Sequence, residues 1–541
     1  MFRFTSAFFT VLTAGVFLSK ACGQSIGDPM EFPPDVFTER IEDGYVDVTL
    51  TLEVADHTSA AGTITNTRLF NGMLPGPTIR IFPGETLRVN FINNLVEKGT
   101  PVTTPNVYSH PEDTNLHYHG AHVSGELPSD DVTLTLSPGD SYNYESFFPD
   151  VHVPGTLWVR STFVMRIIII FVGLKLTLCH VCTTLPQIHP HQHGSGALQV
   201  GGGAALALIV EDPVTFAIPD AVRNAPDHLL FVQQFDLTTT QNIERQSYQE
   251  NNIDNGLGST GLSEYRLVNG MYQPTLTMKP NEWQRWRVVY GAWDAGALNL
   301  EVDVGCEMAL LAKDSIYIRD FPRTITQAAI PPGGRADIMV RCDDTATSYT
   351  VTHFNGDTLF TIDMEAVGVT ATDLPSWSLP LPDYLEDVLN EPVDDACNCE
   401  TALEGGTFSI NGQDFDADVF LHTVELGKAV ERTVRGIGAH PYHQHVYPFQ
   451  LVDNINDNTG YFQRGDWHDV IMMTGFAQTN IRYLPTRFLG RLMLHCHRLD
   501  HEDRVSATRD EKKSRKSNIT CDDSPLSLVK TLGNDVRRGS S

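Results

Sequence analysis

The sequence predicts an all-β protein of three consecutive β-sandwich domains. Short segments rich in Val, Ile, Thr and Phe alternate with Pro-Gly and Asn-Gly punctuation, as in strands joined by tight turns. Hydrophobic residues make up 41% of the 541 residues and charged ones 19%, enough for packed cores and without a signature of disorder. A block of sequence also recurs. Asn71-Gly72-Met73 precedes Pro77-Thr78, Pro83, Glu85 and Arg88, and Asn269-Gly270-Met271 precedes Pro274-Thr275, Pro280, Glu282 and Arg285. A fainter third copy runs from Asn411-Gly412 to Arg432. Three related units in series explain this recurrence.

In chain order, Arg3, the apolar run Phe8 to Leu18 and the small residues Ala21-Cys22-Gly23 read as a secretory signal peptide over 1–23. That predicts a secreted, extracellular protein. The first domain is expected over 24–212, closing near Asp212-Pro213. The second spans 213–376, and the third 377–504 after the Pro-rich stretch Leu374 to Pro382. No stretch reaches the roughly 20 apolar residues of a membrane span. The nearest, Ile167 to Leu174, is bounded by Arg166 and Lys175.

The 38 Lys and Arg against 67 Asp and Glu give a formal charge of −29, a field that repels phosphate backbones and anionic membranes. Nucleic acid is excluded as a partner on that ground. Nine cysteines are too few for a disulfide scaffold of this size. Cys306 and Cys342 could pair within the second domain, whereas Cys397 and Cys399 are close enough to seek partners elsewhere.

The chemistry lies in the histidines. Four clusters stand out: His117-Tyr-His119-Gly, His189-Pro-His191, His440-Pro-Tyr-His443-Gln-His445, and His495-Cys496-His497 with His501 beyond. On a strand, residues i and i+2 face the same way, so each His-x-His pair aims two imidazoles at one point. Four pairs suffice for three metal ions and exceed the needs of one. Cys496 projects opposite to its neighbours and, with His440 and His501, forms the one-thiolate, two-imidazole set of an electron-transfer copper site. The backbone from Cys496 to His495 and His497 is then a covalent path between the two centres. A closed structural zinc site would use four ligands and explains the set less well.

On these motifs the chain resembles the multicopper oxidases, the laccase-like family of three cupredoxin Greek-key domains. The resemblance covers about Tyr45 to Arg504. It includes Pro154-Gly155-Thr156-Leu157-Trp158 and Pro332-Gly333-Gly334-Arg335-Ala336-Asp337. It implies four copper ions: a type 1 ion on His440, Cys496 and His501, a type 2 ion on His117 and His443, and a type 3 pair on His119, His189, His191, His445, His495 and His497. It also implies that a small-molecule or metal-ion donor gives up electrons singly and that dioxygen is reduced to water. Proton delivery needs an acid. Glu502 matches the family's acid beside the last ligand, and Asp130 with Asp131 stands where related enzymes place another. His122 and His193 lie near the motifs but off pattern.

Two places break the resemblance. Residues 159–187 separate Trp158 from Ile188, and removing them restores Gly-Thr-Leu-Trp-Ile-His-Pro-His. The ends, Val159-Arg160 and Gln187, translate the GT and AG borders of an intron, so the segment reads as a retained intron. The alternative is a functional loop in which Cys179-His-Val-Cys182 binds metal. After Arg504, the position of the family's axial residue holds Ser506, and 505–541 is expected to be a non-homologous tail without a strand. It carries the sequence's glycosylation sequon, Asn518-Ile-Thr520. Without leader, insert and tail, about 150 residues remain for each sandwich.

The expected function is that of a secreted, monomeric laccase-like oxidase of phenols or similar donors, impaired in this chain by the insert and the altered end. A ferroxidase, a pigment (bilirubin-type) oxidase and a non-catalytic cupredoxin-fold interaction protein are the alternatives.

Overall fold

A computed structural model describes residues 23–36, 43–152, 187–212, 216–250, 253–294, 296–393, 399–403, 409–416, 419–504 and 526–532. The leader, the Pro154–Trp158 motif, residues 159–186, Cys397 and Ser506 lie outside these. Three all-β sandwiches follow one another.

In the first, Tyr45–Ser59 and Thr86–Asn94 run parallel in register, flanked by Gly62–Phe70 and Ser141–Phe147. Its second sheet has four strands in the order Ile79–Ile81, Leu206–Val210, Gln187–His189 and His117–His119. Strand alternation buries Val46, Val48, Leu50 and Leu52 on one face, where they meet Leu87, Val89 and Phe91. The second sandwich packs a seven-stranded sheet on a five-stranded one, and the third pairs two five-stranded sheets. One continuous apolar cluster spans the second and third domains, from Trp286 and Ile338 to Val434 and Leu494. Among the described residues no helix is long and apolar enough to cross a membrane.

The repeated Asn-Gly has the same role in all three domains. Asn71, Asn269 and Asn411 take φ of 51°, 54° and 51°, each followed by a glycine also at positive φ. This is a two-residue hairpin turn of the kind that needs left-handed residues at both central positions. The side-chain oxygen of each Asn then accepts an N–H from a neighbouring strand: Thr51 at 2.7 Å, Phe231 at 2.8 Å and Ala402 at 2.7 Å. The repeat arginines also share a register, with Arg88, Arg285 and Arg432 opposite Asp47, Asp227 and Cys399 in parallel strand pairs.

Cys306 and Cys342 form a disulfide across an antiparallel pair, and Cys399 is disulfide-bonded too. The tail departs from expectation. Leu526–Leu532 is a strand lying antiparallel to Gly490–Cys496 and parallel to Phe420–Glu425. It is an interior strand of the third sandwich, lying between those two. The polar flanks of 505–541 hide a short Leu-Ser-Leu-Val-Lys-Thr-Leu alternation, and the open edge of the Cys496 strand supplies hydrogen-bonding groups that need a partner.

Replacing Asn269 by Ala leaves the Phe231 N–H without its acceptor and exchanges a residue that tolerates positive φ for one that tolerates it less well. A loss of about 1–3 kcal/mol is expected from those two effects. Urea unfolding measures it, and an unchanged midpoint would contradict the role given to the turn.

Candidate metal centre

Two short strand pairs position the imidazoles. His117–His119 lies antiparallel to Gln187–His189, with His117 opposite His189. Tyr442–Gln444 lies antiparallel to Gly490–Cys496, with His443 opposite His495 and Tyr442 opposite Cys496. Alternation sends His117 and His119 to one face and the buried Tyr118 to the other. His445 and His497 follow their strands directly, and His191 follows its own one residue further on, after Pro190. All eight of these histidines are buried, and the rings of the first and third domains interleave. His117 stacks on His445 with centroids 4.0 Å apart, and His119 stacks on His443 at 3.7 Å.

Most rings have one nitrogen anchored and the other turned inward. Nδ1 of His117 is 3.0 Å from the Asp130 carboxylate. Nδ1 of His189 donates to the Pro190 carbonyl at 2.9 Å, and Nδ1 of His443 to the Asp469 carbonyl at 2.8 Å. His119 uses Nε2, 3.3 Å from the Asp469 carboxylate. His495 Nδ1 meets the Cys496 carbonyl at 3.2 Å. The opposite nitrogens of His117, His119, His189 and His443, and both nitrogens of His497, have no hydrogen-bond partner among the described residues. Nε2 of His495 lies 3.1 Å from that of His191 and 3.3 Å from that of His445.

So many buried ring nitrogens without partners is a costly arrangement for a protein alone. It is the arrangement of metal ligands whose other nitrogen is oriented by an acceptor. Ligand atoms within 4.8 Å of one another form the sets His117–His119–His189, His117–His443–His445 and His191–His445–His495. Burial first, and then the neighbouring imidazoles, push the His117, His443 and His445 rings well below the usual range. His189 falls to about 4 and His191 to about 3, again by burial first. The rings are neutral, as ligands must be.

A second set sits behind the strand. His440 Nδ1, Cys496 Sγ and His501 Nδ1 form a triangle with sides of 3.5, 3.9 and 3.3 Å. One ion about 2.0–2.3 Å from each atom fits such a triangle. Cys496 is the free cysteine of the described residues, and burial pushes its thiol up to about 12. A bound cation would supply the charge that makes it a thiolate.

The three predicted acids have different surroundings. Glu502 is buried, its carboxylate oxygens 3.2 Å from His191 Nδ1 and 3.1 Å from His495 Nδ1, and burial raises its pKa. Asp130 faces His117 and accepts the Tyr118 N–H at 3.0 Å. Asp131 turns away to the backbone N–H and hydroxyl of Thr133, at 3.0 and 2.6 Å. His122 donates to the Val446 carbonyl and stacks on Tyr384, and His193 pairs with Asn106; neither joins the sets.

Sequence reasoning missed Asp469 and Asp503. Asp503 accepts the N–H groups of Gly194 and Ala197 at 2.8 and 2.7 Å, tying the third domain to the first. Asp469 lies in no metal-ligand motif; adjacency to His468 is its sole signal.

With Asp130→Ala, His117 loses the acceptor that orients it. Metal affinity of the cluster is expected to fall about 10–100-fold. Competition with a chelator reads this, and an unchanged affinity would remove Asp130 from the orienting role. Acid should also destabilise the metal-free protein. His189 and His191 titrate lower folded than at the unfolded 6.5, so unfolding takes up protons below that pH. Their contribution is full above about pH 6.5 and is lost as pH falls towards 4. Melting of chelator-treated protein from pH 7.5 to pH 5 should show a falling Tm; a flat Tm would count against buried neutral rings.

Two multicopper oxidase family models match the chain, over residues 52–168 and 387–509. The multicopper oxidase mco of Staphylococcus haemolyticus is 22% identical over 480 residues, covering 87% of this chain and 90% of that protein. The cell division protein FtsP of Escherichia coli is 22% identical over 511 residues, covering 90% and 94%. The crystal structure of a laccase from Pediococcus acidilactici superposes with a TM-score of 0.66 at 19% identity, over 94% of this chain and 95% of that one. Residues of both matched regions, with His189 and His191 from between them, meet at one buried junction, and the protein belongs to the multicopper oxidase family.

Proposed function

We propose that the chain is a secreted, monomeric laccase-like oxidase that couples four one-electron oxidations of a phenolic donor to the reduction of dioxygen to water. The observation that carries this reading is the pair of ligand sets joined through Cys496. His440, Cys496 and His501 would hold the type 1 ion. His117 and His443 would hold the type 2 ion. His119, His189 and His497, with His191, His445 and His495, would hold the type 3 pair. Copper bound there would supply single-electron acceptance at the first site and multi-electron delivery to oxygen at the second.

The protein's own groups do the rest. The backbone of His495-Cys496-His497 connects the two sites covalently. Glu502, its carboxyl pKa raised by burial, stands beside His191 and His495, where it can relay protons. His440 and His501 are half-buried, so a donor can approach them from outside.

The surroundings of that edge favour an organic donor over iron(II). Asp294 is ion-paired with Arg498, and Asp500 lies 3.2 Å from Arg504 and 3.5 Å from Arg498. Among the described residues there, these two carboxylates are matched by two guanidiniums, which leaves them no surplus negative charge for a metal cation. The comparable similarity to a cell division protein favours, as the second reading, a chain that keeps the fold for interaction. Retention of every ligand weighs against it.

The copper-loaded protein is expected to be blue and to consume one dioxygen for every four electrons taken from a phenol. Cys496→Ser should lose the colour and the oxidation together. A colourless wild-type chain without oxygen uptake would overturn the proposal in favour of the interaction reading, and faster oxidation of iron(II) than of phenols would overturn the donor class.

A further inference from the structure

The middle domain supplies no residue to the ligand sets, yet it reaches the cluster. Its turn Pro331–Gly334 leads into the strand Arg335–Cys342. A Cβ built on Gly333 would lie 2.8 Å from His119 Cε1 and 2.8 Å from His497 Nε2, so this turn is the wall against those two rings. Arg335 follows, 1% exposed. Its guanidinium holds the Asp469 carboxylate in a two-pronged pair, with Nη1 donating to Oδ1 at 2.7 Å and Nη2 to Oδ2. Nη1 also donates to the Gly333 carbonyl at 3.1 Å.

Asp469 in turn touches two predicted ligands from two different domains. Its carboxylate Oδ1 lies 3.3 Å from His119 Nε2, and its main-chain carbonyl accepts from His443 Nδ1 at 2.8 Å. Asp314 braces both partners, accepting the Arg335 N–H at 3.1 Å and the Asp469 N–H at 3.3 Å. Gly120, which closes the His-x-His-Gly motif, makes room for the pair. A Cβ there would fall 2.1 Å from Arg335 Nη2 and 2.2 Å from Asp469 Oδ2.

We infer that Arg335 and Asp469 are positioning residues through which the ligand-free middle domain sets the orientation of His119 and His443, and thereby the geometry of the type 2 and type 3 copper sites. This rests on the copper reading above. Other anchored rings rely on acceptors near in sequence, and Glu502, which lies between His191 and His495, belongs to the third domain alone. Here one residue orients two rings across a domain boundary, and a planar guanidinium fixes that residue's angle as a single-point ammonium would not.

The test uses the full chain loaded with copper, comparing wild type with Asp469→Asn, Arg335→Lys and Arg335→Gln. Readouts are copper per chain, the type 2 paramagnetic resonance signal, the blue absorbance of the Cys496 site, steady-state kinetics with a phenol, and the Tm of the metal-free protein. The expected result is a weakened or altered type 2 signal and a kcat about tenfold or more lower, the scale of losing an orienting partner. Blue absorbance, its anaerobic bleaching by the phenol and the phenol KM should stay at wild-type values, because His440, Cys496 and His501 are untouched. Arg335→Lys, which keeps the charge but not the fork, should be less impaired than Arg335→Gln.

Wild-type type 2 signals and kcat in all three variants would overturn the inference. So would a parallel loss of Tm, blue absorbance and type 2 signal, which marks a merely structural ion pair. A wild-type chain that takes up no copper would overturn the copper reading itself, and the inference with it.

Discussion

Eight imidazoles crowded into one dry space between the first and third domains have to be neutral, and their directions have to be held. Water cannot orient them there, so acceptors from the protein do it: Asp130, Asp469 and the carbonyls of Pro190 and Cys496. An imidazole whose one nitrogen is committed to an acceptor presents the other with its lone pair free. The whole architecture of short strand pairs and inter-domain bridges serves to bring those free nitrogens face to face.

The single helical turn Leu499–Glu502, with Asp503 after it, shows how compactly this is done. Successive helical residues are rotated by about 100°. His501 therefore faces the Cys496 site, Glu502 faces His191 and His495, and Asp503 faces the N–H groups of Gly194, Gly196 and Ala197. Three consecutive side chains join the electron-entry set, the buried cluster and the first domain. The Arg335–Asp469 pair is the counterpart from the middle domain. Together they make the cluster a property of all three sandwiches.

Much of the fold was legible. The Asn-Gly repeat identified three related units because the conformation it needs is local: two left-handed residues and a short side chain that reaches one strand across. The paired histidines and Cys496 were legible as candidate ligands for a similar reason, since period-two alternation on a strand decides which side chains share a face. The strand at Leu526–Leu532 was missed. Its alternation is short, and it becomes a strand through the partners it finds on either side. Asp131 was grouped with Asp130 by adjacency, yet adjacent residues point apart, and the turn to Thr133 claims it.

By itself, then, the sequence determined the sandwich class, the His-x-His pairs and the opposite projection of Cys496, because each follows from covalent spacing and strand geometry. Tertiary structure alone decided which pairs face each other, which nitrogen of each ring is anchored, and that Asp469, Arg335 and Asp503 belong to the site. Those depend on groups hundreds of residues apart meeting in a dehydrated seam. There an unsatisfied polar atom is costly, and an acceptor at the right angle has no substitute in solvent.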